Sequence, residues 1–317
     1  MKLSHIFCAL FVAAVSSCNM AHQEKTIFTI GSGSKNAMYY PVAVALCDVF
    51  NEHNQDKKFV CEARLSKGAE YNLDAVESGE FDMGIAQTNL QYDAYSGSKN
   101  FATKPHKNLR TLFNLHDEYL TIITRKDIKI DSFSDLRGKS INIGNPGSGS
   151  RVLFSRMVQK MGWSMSDFRK IYEESGSNLN KVLCSPNKAD AAVYIVGHPN
   201  KSFESILNSC DTKFVNLSQD EVESFLSLAP MQFRKTSIPA KTYPKQLQKI
   251  NTFASKTVLV ASAKLDQKFV QNFVEIISKN KDELVKKQPS LIAVNFLEQS
   301  DLELVAPLHD GVRKIKK

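Results

Sequence analysis

Thr26–Phe50 reads TIFTIGSGSKNAMYYPVAVALCDVF and contains three parts in order. Thr26–Ile30 is rich in β-branched and aromatic residues, which is typical of a short strand. The Gly-Ser loop Gly31–Asn36 interrupts it, and apolar residues then recur at helical spacing over Met38–Phe50. A strand, a glycine-rich loop and a helix in this order predict the first unit of an α/β fold.

A second stretch further along the chain repeats this pattern. Ser140–Ile143 (SINI) is the strand, Asn145–Arg151 (NPGSGSR) the loop, and Ser150–Met161 the helix. Each stretch is followed by another helix and by a buried strand led by an aspartate, Phe81–Gln87 in the first case and Asp190–Val196 in the second. Strands alternating with helices predict two mainly parallel sheets flanked by helices, and therefore two lobes with a cleft between them.

The two Gly-Ser loops are candidate ligand sites. Ligands of open α/β sheets bind beyond the carboxyl ends of the strands, and a helix N-terminus there offers unpaired N–H groups to an anion. The alternative is that each serine caps its own helix while the glycines only turn the chain. Two matched loops in matched lobes favour binding. Arg151, in the first helical turn, either grips a ligand carboxylate or extends into solvent.

Neither loop has the sequence of a nucleotide site. Gly31–Asn36 lacks the third glycine of GxGxxG, and neither loop ends in the Gly-Lys-Ser/Thr of a P-loop. Gly147–Ser150 only superficially resembles a serine nucleophile elbow, and no histidine and acid partners accompany it. We therefore expect no enzymatic activity and no cofactor.

The N-terminus predicts export. Met1–Ser17 has a basic start and an apolar run, Ile6–Val15, too short for a membrane anchor, which is typical of a signal peptide. Val15–Cys18 (VSSC) resembles a bacterial lipobox, so lipidation of Cys18 and cleavage without lipidation both remain open. No later stretch reaches the roughly 20 apolar residues that span a bilayer, so transport would require a membrane partner.

Net charge and cysteine content limit the remaining classes of function. The 317 residues carry a formal net charge of +8 that is spread along the chain, so a nucleic-acid surface is not expected. We expect a monomer in the periplasm. Four further cysteines allow two disulfides in an oxidising compartment or four free thiols, and no spacing indicates a metal site. The pairs would be Cys47 with Cys61 and Cys184 with Cys210.

Several motifs in order resemble the TAXI family, the solute-binding subunits of certain tripartite ATP-independent periplasmic (TRAP) transporters. They are IGSGSKNAMYYPVAVALCDVF, ESGEFDMGIAQTNLQYDAYSG, SFSDLRGKSINIGNPGSGSR, ADAAVYIVGHP, IPAKTYP and PLHDGVRK. The resemblance runs from about Phe28 to Val312. It implies a two-lobed type II periplasmic-binding-protein fold, a small carboxylate or amino-acid ligand such as glutamate or a dicarboxylate, and TRAP permease subunits as partners.

The resemblance also implies ligand contacts at loops and strand ends: Ser32, Gly33, Tyr39, Tyr40, Asn72, Gln87, Ser148, Gly149, Ser150, Gly197 and Pro199. To these we add Arg151 and His198, which lies in the Gly-His-Pro end of the second lobe's later strand. Lys67–Tyr71 departs from the family pattern, because Lys67 adds a positive charge and Glu70 a negative one. The usual ligand is therefore in doubt.

We expect the chain to cross between lobes twice, near Leu120–Arg125 and near Thr257–Ser262. Residues 24–122 with 258–317 then form lobe 1, and residues 123–257 form lobe 2. The function predicted is capture of a solute by hinge closure. The alternatives are the substrate-binding lipoprotein of an ABC importer, a secreted enzyme using His198 as general base, and a surface protein acting on a host.

Overall fold

The computed structural model describes residues 25–35, 37–185, 188–292, 294 and 305–315. The predicted signal peptide and Cys18 lie outside these ranges. The strands are β1 (Thr26–Gly31), β2 (Phe59–Arg64), β3 (Met83–Gln87), β4 (Leu109–Arg125), β5 (Ser140–Asn142), β6 (Lys170–Tyr172), β7 (Ala191–Val196), β8 (Thr212–Phe214), β9 (Phe233–Ile238) and β10 (Ile250–Ser262). The α-helices are α1 (Tyr39–His53), α2 (Ala69–Ser78), α3 (Thr88–Ser96), α4 (Gly149–Lys160), α5 (Leu179–Leu183), α6 (Lys201–Ser209), α7 (Gln219–Leu226), α8 (Gln267–Lys279), α9 (Lys281–Lys287) and α10 (Asp310–Ile315).

The outer strands of both halves are parallel, as alternating strands and helices predict. β1 pairs with β2 on one side and with β3 on the other, and β5 pairs in the same way with β6 and β7. An aspartate stands immediately before β3 in the first half and before β7 in the second, and the two make equivalent contacts. Asp82 accepts hydrogen bonds from the backbone N–H and hydroxyl of Thr29 (2.9 and 3.0 Å). Asp190 accepts one from the backbone N–H of Ser140 (2.8 Å). Each aspartate thus ties its own strand set together.

The two central strands differ from the prediction of two separate sheets. β4 and β10 are long and antiparallel to each other, and they pair along both halves, for example Ala254 with Tyr119 and Leu259 with Phe113. β3 adds to β10 and β7 to β4, both antiparallel. The order β2-β1-β3-β10-β4-β7-β5-β6 is therefore one continuous mixed sheet in the described part of the chain. The reason is that the outward and return crossings run in opposite directions and hydrogen-bond to each other instead of passing as isolated linkers.

The apolar core is divided although the sheet is continuous. One cluster joins residues between Phe28 and Leu115 to residues between Val258 and Val312, with Val152 as its member from α4. Phe28 and Phe269 stack within it, with ring centroids 3.5 Å apart. Two further clusters draw only on residues between Leu120 and Phe253. We retain the lobe boundaries given above as a proposal, which this division of the core supports.

Two disulfides lie within the halves. Cys47 of α1 is bonded to Cys61 of β2, and Cys184 after α5 to Cys210 after α6. Of the two arrangements left open by the sequence, the structure contains the paired one. Covalent pairing of this kind is characteristic of proteins that fold in an oxidising compartment.

Candidate functional site

A cavity of about 80 Å³ lies between the two Gly-Ser loops. One water molecule needs a cavity volume of roughly 10–15 Å³, so this cavity has room for a small molecule about the size of six waters. Its walls come from both halves of the chain: Gly33, Ser34, Ala37, Met38, Tyr39, Lys67, Gly68, Ala69, Gln87, Glu118, Asn145, Ser148, Gly149, Ser150, Gly176, Tyr194, Ile195, Val196, Asn200, Ser202 and Phe203. Six of the predicted ligand residues are among them: Gly33, Tyr39, Gln87, Ser148, Gly149 and Ser150.

Ser32 and Asn72 are fully buried and support the first loop from behind. The hydroxyl of Ser32 donates to the backbone carbonyl of Arg64 (2.5 Å). The Asn72 side-chain amide donates to the carbonyls of Ser32 (2.7 Å) and Ile85 (2.8 Å). Because these bonds use the donors that a ligand would need, both residues position the loop instead of lining the cavity.

The second loop shapes the start of α4. Gly144 (φ 87°) and Gly147 (φ 83°) adopt left-handed conformations that disfavour residues with a Cβ. The Ser148 hydroxyl accepts a hydrogen bond from the Arg151 backbone N–H (3.3 Å), so it caps the helix. The Ser150 hydroxyl accepts one from Ile195 (3.1 Å), which anchors the loop to β7. These serines have structural partners and still reach the cavity wall, so the capping and the binding interpretations coexist.

Arg151 lies outside the cavity walls. Its guanidinium pairs with the carboxylate of Glu173, and the two side chains are 42% and 39% exposed. Of the two alternatives for Arg151, the structure contains the one directed to the surface.

His198 packs inside the second half, away from the cavity. Its Nε2 lies 2.8 Å from the Thr121 hydroxyl and its Nδ1 2.5 Å from the Tyr243 hydroxyl. Burial lowers the pKa of His198 to about 3, so the ring is neutral at physiological pH. Gly197 packs against the His116 ring. These contacts remove the geometric basis for a general base at this strand end.

Tyr40 and Pro199 line a neighbouring groove. This groove lies beside α1 and the start of α6, and the cavity between the loops does not include either residue. Tyr39 lines the cavity, and its hydroxyl donates to Glu118 Oε2 (2.9 Å).

Glu118 is the cavity residue that the sequence analysis missed. It is 3% exposed, and its Oε2 accepts hydrogen bonds from the Tyr39 hydroxyl (2.9 Å) and from Gln87 Nε2 (2.6 Å). The strand predicted at Leu120–Arg125 begins earlier, at Leu109. Extending the alternation of buried Leu120 and Ile122 backwards by two residues would have placed Glu118 on the same face of the strand.

Burial dominates the electrostatics of this group. Desolvation raises the pKa of Glu118 to about 8, although the hydrogen bonds from Tyr39 and Gln87 oppose the shift. Burial and the neighbouring carboxylate also hold the pKa of Tyr39 well above its ordinary value. Gln87 Oε1 is buried and has no hydrogen-bond partner within the described residues. Gln87 Oε1 is therefore an acceptor at the cavity that has no donor among the described residues.

Backbone and side-chain contacts cross the cleft beside the cavity. Asn145 Nδ2 donates to the Lys67 carbonyl (2.8 Å), and the Tyr71 N–H donates to the Gly147 carbonyl (3.4 Å). Lys67 belongs to the cavity wall, and its ammonium lies 5.4 Å from the Tyr71 ring centroid. Glu70 accepts a hydrogen bond from Asn100 (2.8 Å) and is not a wall residue. Of the two charged residues introduced at Lys67–Tyr71, only Lys67 belongs to the cavity wall, and its ammonium lies over the Tyr71 ring.

A buried ion pair also joins the halves. Arg156 Nη2 of α4 lies 2.5 Å from Asp93 Oδ2 of α3, and the side chains are 10% and 3% exposed. The angles do not satisfy a hydrogen bond between these two atoms. The Asp93 carboxylate is further held by the Ser98 hydroxyl (2.9 Å). Two opposite charges buried together stabilise each other only while the halves stay in contact.

The fold and the interlobe cavity define a class, that of two-lobed α/β proteins of the periplasmic-binding-protein type. A family model described as "NMT1-like family" matches residues 30–316. The chain belongs to the NMT1-like family. Within the described residues, no helix combines the length and the apolar character needed to cross a membrane.

Solved structures agree with this class. A Bordetella bronchiseptica RB50 protein is 14% identical, with 92% of this chain and 96% of that chain covered and a TM-score of 0.56. A Xanthomonas citri protein solved bound to chloride ion is 12% identical, with 92% and 98% covered and a TM-score of 0.52. The ligand-binding component of an ABC-type import system from Staphylococcus aureus, solved with zinc bound, is 14% identical, with 92% and 90% covered and a TM-score of 0.50. At these identities the likeness concerns the fold, and the predicted two-lobed α/β fold is confirmed.

The family expected from the sequence motifs is corrected by the same comparisons. The matching model is that of the NMT1-like family and not the TAXI family. Of the three structures above, the Staphylococcus aureus protein is described as part of an ABC-type import system. The expectation of TRAP permeases as partners is corrected with it. Gly-Ser loops at helix starts bind anions in many kinds of protein. Their presence and order along the chain therefore do not identify one class of transporter.

Proposed function

We propose that this protein is the extracytoplasmic solute-binding component of an ABC-type importer and that it captures a small carboxylate or amino acid between its lobes. The observation that carries the proposal is the cavity itself, which takes its walls from both halves and is lined by the two Gly-Ser loops. Closing two lobes on a solute and presenting it to a membrane partner is a common use of this architecture. The signal-peptide pattern at Met1–Ser17 supports an extracytoplasmic site of action.

The geometry gives less support to an enzyme. His198, the general base considered above, is committed to Thr121 and Tyr243. Glu118 is buried among hydrogen-bond donors. Neither Ser148 nor Ser150 has a histidine partner among its described hydrogen bonds. Binding without turnover is the function that these contacts favour.

Thermal-shift measurements on the purified protein test the proposal. The panel holds amino acids, monocarboxylates and dicarboxylates, and native mass spectrometry of the same sample detects any co-purified molecule. A ligand that binds only the folded state stabilises it by about 2.7 kcal/mol at a hundredfold excess over its Kd. If no member of the panel raises the melting temperature, the proposed ligand class is wrong.

A matched pair of variants links binding to the cavity. In Gly149→Ala the new Cβ would lie 2.3 Å from Gln87 Oε1, so the amide must move. We expect affinity to fall by roughly tenfold or more, about 1.4 kcal/mol. Arg151→Ala alters the same helical turn on the side facing Glu173, and its affinity should stay within about twofold of the wild type. Equal losses in both variants would place the ligand elsewhere.

A further inference from the structure

The cavity between the Gly-Ser loops is electrostatically asymmetric. Glu118 is the one acidic side chain and Lys67 the one basic side chain among its described wall residues. Lys67 lies in the segment that contacts the second loop, where α4 begins with its N–H groups and the positive end of its dipole. Glu118 lies on β4 and accepts hydrogen bonds from Tyr39 and Gln87, and the Gln87 amide packs against Gly149, the first residue of α4.

The hydrogen-bond inventory at the Glu118 end identifies what is missing. Both described donors, the Tyr39 hydroxyl and Gln87 Nε2, point at Oε2 of Glu118. Gln87 uses its amide N–H on that carboxylate, which leaves its Oε1 buried without a donor in the described part of the chain. An ammonium group carries three donors and no acceptor, whereas an ionised carboxylate carries acceptors only. The unmet requirement here is therefore for donors.

We propose that Glu118 and Gln87 form the ammonium-binding end of the cavity, so that the protein selects α-amino acids over carboxylates that lack an amino group. The ligand carboxylate then lies towards the N–H groups at the start of α4. This inference rests on the proposed solute-binding function and deepens it. The ammonium and carboxylate groups of an α-amino acid are one carbon apart, which matches acceptors that lie next to the start of a helix. Once Glu118 is ionised, it would repel the second carboxylate of a dicarboxylate.

The pH dependence of binding distinguishes the two ligand classes by its sign. The charged or titratable groups near Glu118 are Tyr39, whose pKa burial raises well above its ordinary value, and His116, whose pKa burial lowers to about 3. Lys67 is the cation on the same wall. Glu118, with its pKa raised to about 8, is the member of this set that changes charge between pH 6 and pH 8. An ammonium ligand requires the ionised carboxylate, so its binding releases a proton.

The expected change follows from the ionised fraction. With a pKa of about 8, roughly 1% of Glu118 is ionised at pH 6 and half at pH 8. Affinity for an amino acid should therefore rise by up to about 50-fold over this interval. A dicarboxylate would instead accept a hydrogen bond from protonated Glu118, and its affinity should fall as pH rises.

Isothermal titration calorimetry on the wild type, Glu118→Gln and Asp117→Asn tests the inference with paired ligands, such as glutamate with glutarate and alanine with propionate. Asp117 is the matched control, because it neighbours Glu118 in the chain but pairs with Arg234 away from the cavity. We expect the amino acid of a pair to bind, its affinity to rise with pH, and Glu118→Gln to lose at least about tenfold while Asp117→Asn does not.

Each other outcome has a definite meaning. Equal or tighter binding of the deaminated partner, or affinity that falls with pH, overturns the ammonium site and leaves the solute-binding function intact. If neither partner of any pair binds, the proposed function fails together with the inference. The pH profile of the wild type decides the question even if Glu118→Gln does not fold.

Discussion

Replacing Glu118 by glutamine should make the protein more stable, and increasingly so as the pH rises. The side chain is buried, and desolvation raises its pKa from 4.5 to about 8. Below pH 4.5 the carboxyl is protonated in both the folded and the unfolded state, so it has little effect on the free energy of unfolding. Between pH 4.5 and pH 8 the unfolded chain releases the proton and the folded chain retains it, so stability falls as pH increases. Glutamine has the same shape, can accept from the same donors, and does not titrate.

The size of the effect follows from these two pKa values. Linkage gives a loss of roughly 1 kcal/mol at pH 5 and roughly 3 kcal/mol at pH 7. The variant should therefore gain about 2–3 kcal/mol on the wild type between these pH values. At roughly 2–4 °C per kcal/mol, the gap between the two melting temperatures should widen by about 5–10 °C.

Thermal melts of the ligand-free wild type and Glu118→Gln, followed by circular dichroism at half-unit steps from pH 4.5 to pH 8.5, measure this gap. Other titrating groups are common to both proteins and cancel in the difference. Asp117→Asn, the neighbouring acid, should retain the slope of the wild type. Parallel pH profiles for the wild type and Glu118→Gln would refute the reasoning, because they would mean that Glu118 is ionised in the folded protein at neutral pH.

Three further predictions concern the rest of the molecule. Asp93→Asn should lower the free energy of unfolding in urea by about 3–5 kcal/mol, since it leaves the Arg156 charge buried without its partner. Replacing both Cys47 and Cys61 by alanine should cost about 3 kcal/mol by the loop-entropy relation for their separation of 14 residues. His198→Phe should destabilise by about 1–3 kcal/mol, because two buried hydroxyls each lose one of their two hydrogen-bond partners. Calorimetry should nevertheless find its ligand affinity within about twofold of the wild type, since the ring is not on the cavity wall.

Each of these predictions has a result that would contradict it. The exposed pair Lys126–Asp211 is the control for the buried one, and Lys126→Met should change stability by less than about 1 kcal/mol. Equal effects at the two pairs would deny any special contribution from burial. If dithiothreitol destabilises the cysteine double variant as much as the wild type, the first disulfide does not stabilise the fold. A tenfold loss of affinity in His198→Phe would return that residue to the binding site.

Local pattern predicted the repeated units well. β1, α1, β5 and α4 all lie where strand composition, glycine loops and helical spacing indicate, because these signals act over a few residues. The pairing of β4 with β10 was not predictable in the same way. It joins Tyr119 to Ala254 across most of the second half of the fold, and nothing in either segment specifies a partner so distant in sequence.

The sequence predicted the two loops that line the cavity and missed Glu118, which lies on β4. Glycines that adopt special backbone angles, such as Gly147, can be recognised from composition. The direction of a side chain cannot, as Arg151 and Asn72 demonstrate, since each depends on a partner supplied by another element. Glu118 was missed because an acidic residue is ordinarily read as exposed, and the Tyr39 and Gln87 donors that accommodate it come from two other parts of the chain.

The divided core has a consequence for the order in which the nascent chain can fold. The clusters formed by residues between Leu120 and Phe253 are contiguous in sequence, so they are complete as soon as that stretch has been made. The first cluster must wait for Val258–Val312, including Phe269, which stacks on Phe28. The segment that emerges first is thus finished last. When the second half folds early, it brings Tyr119 and Ala254 side by side. The two separated parts of the first half then have to close a short loop instead of a long one.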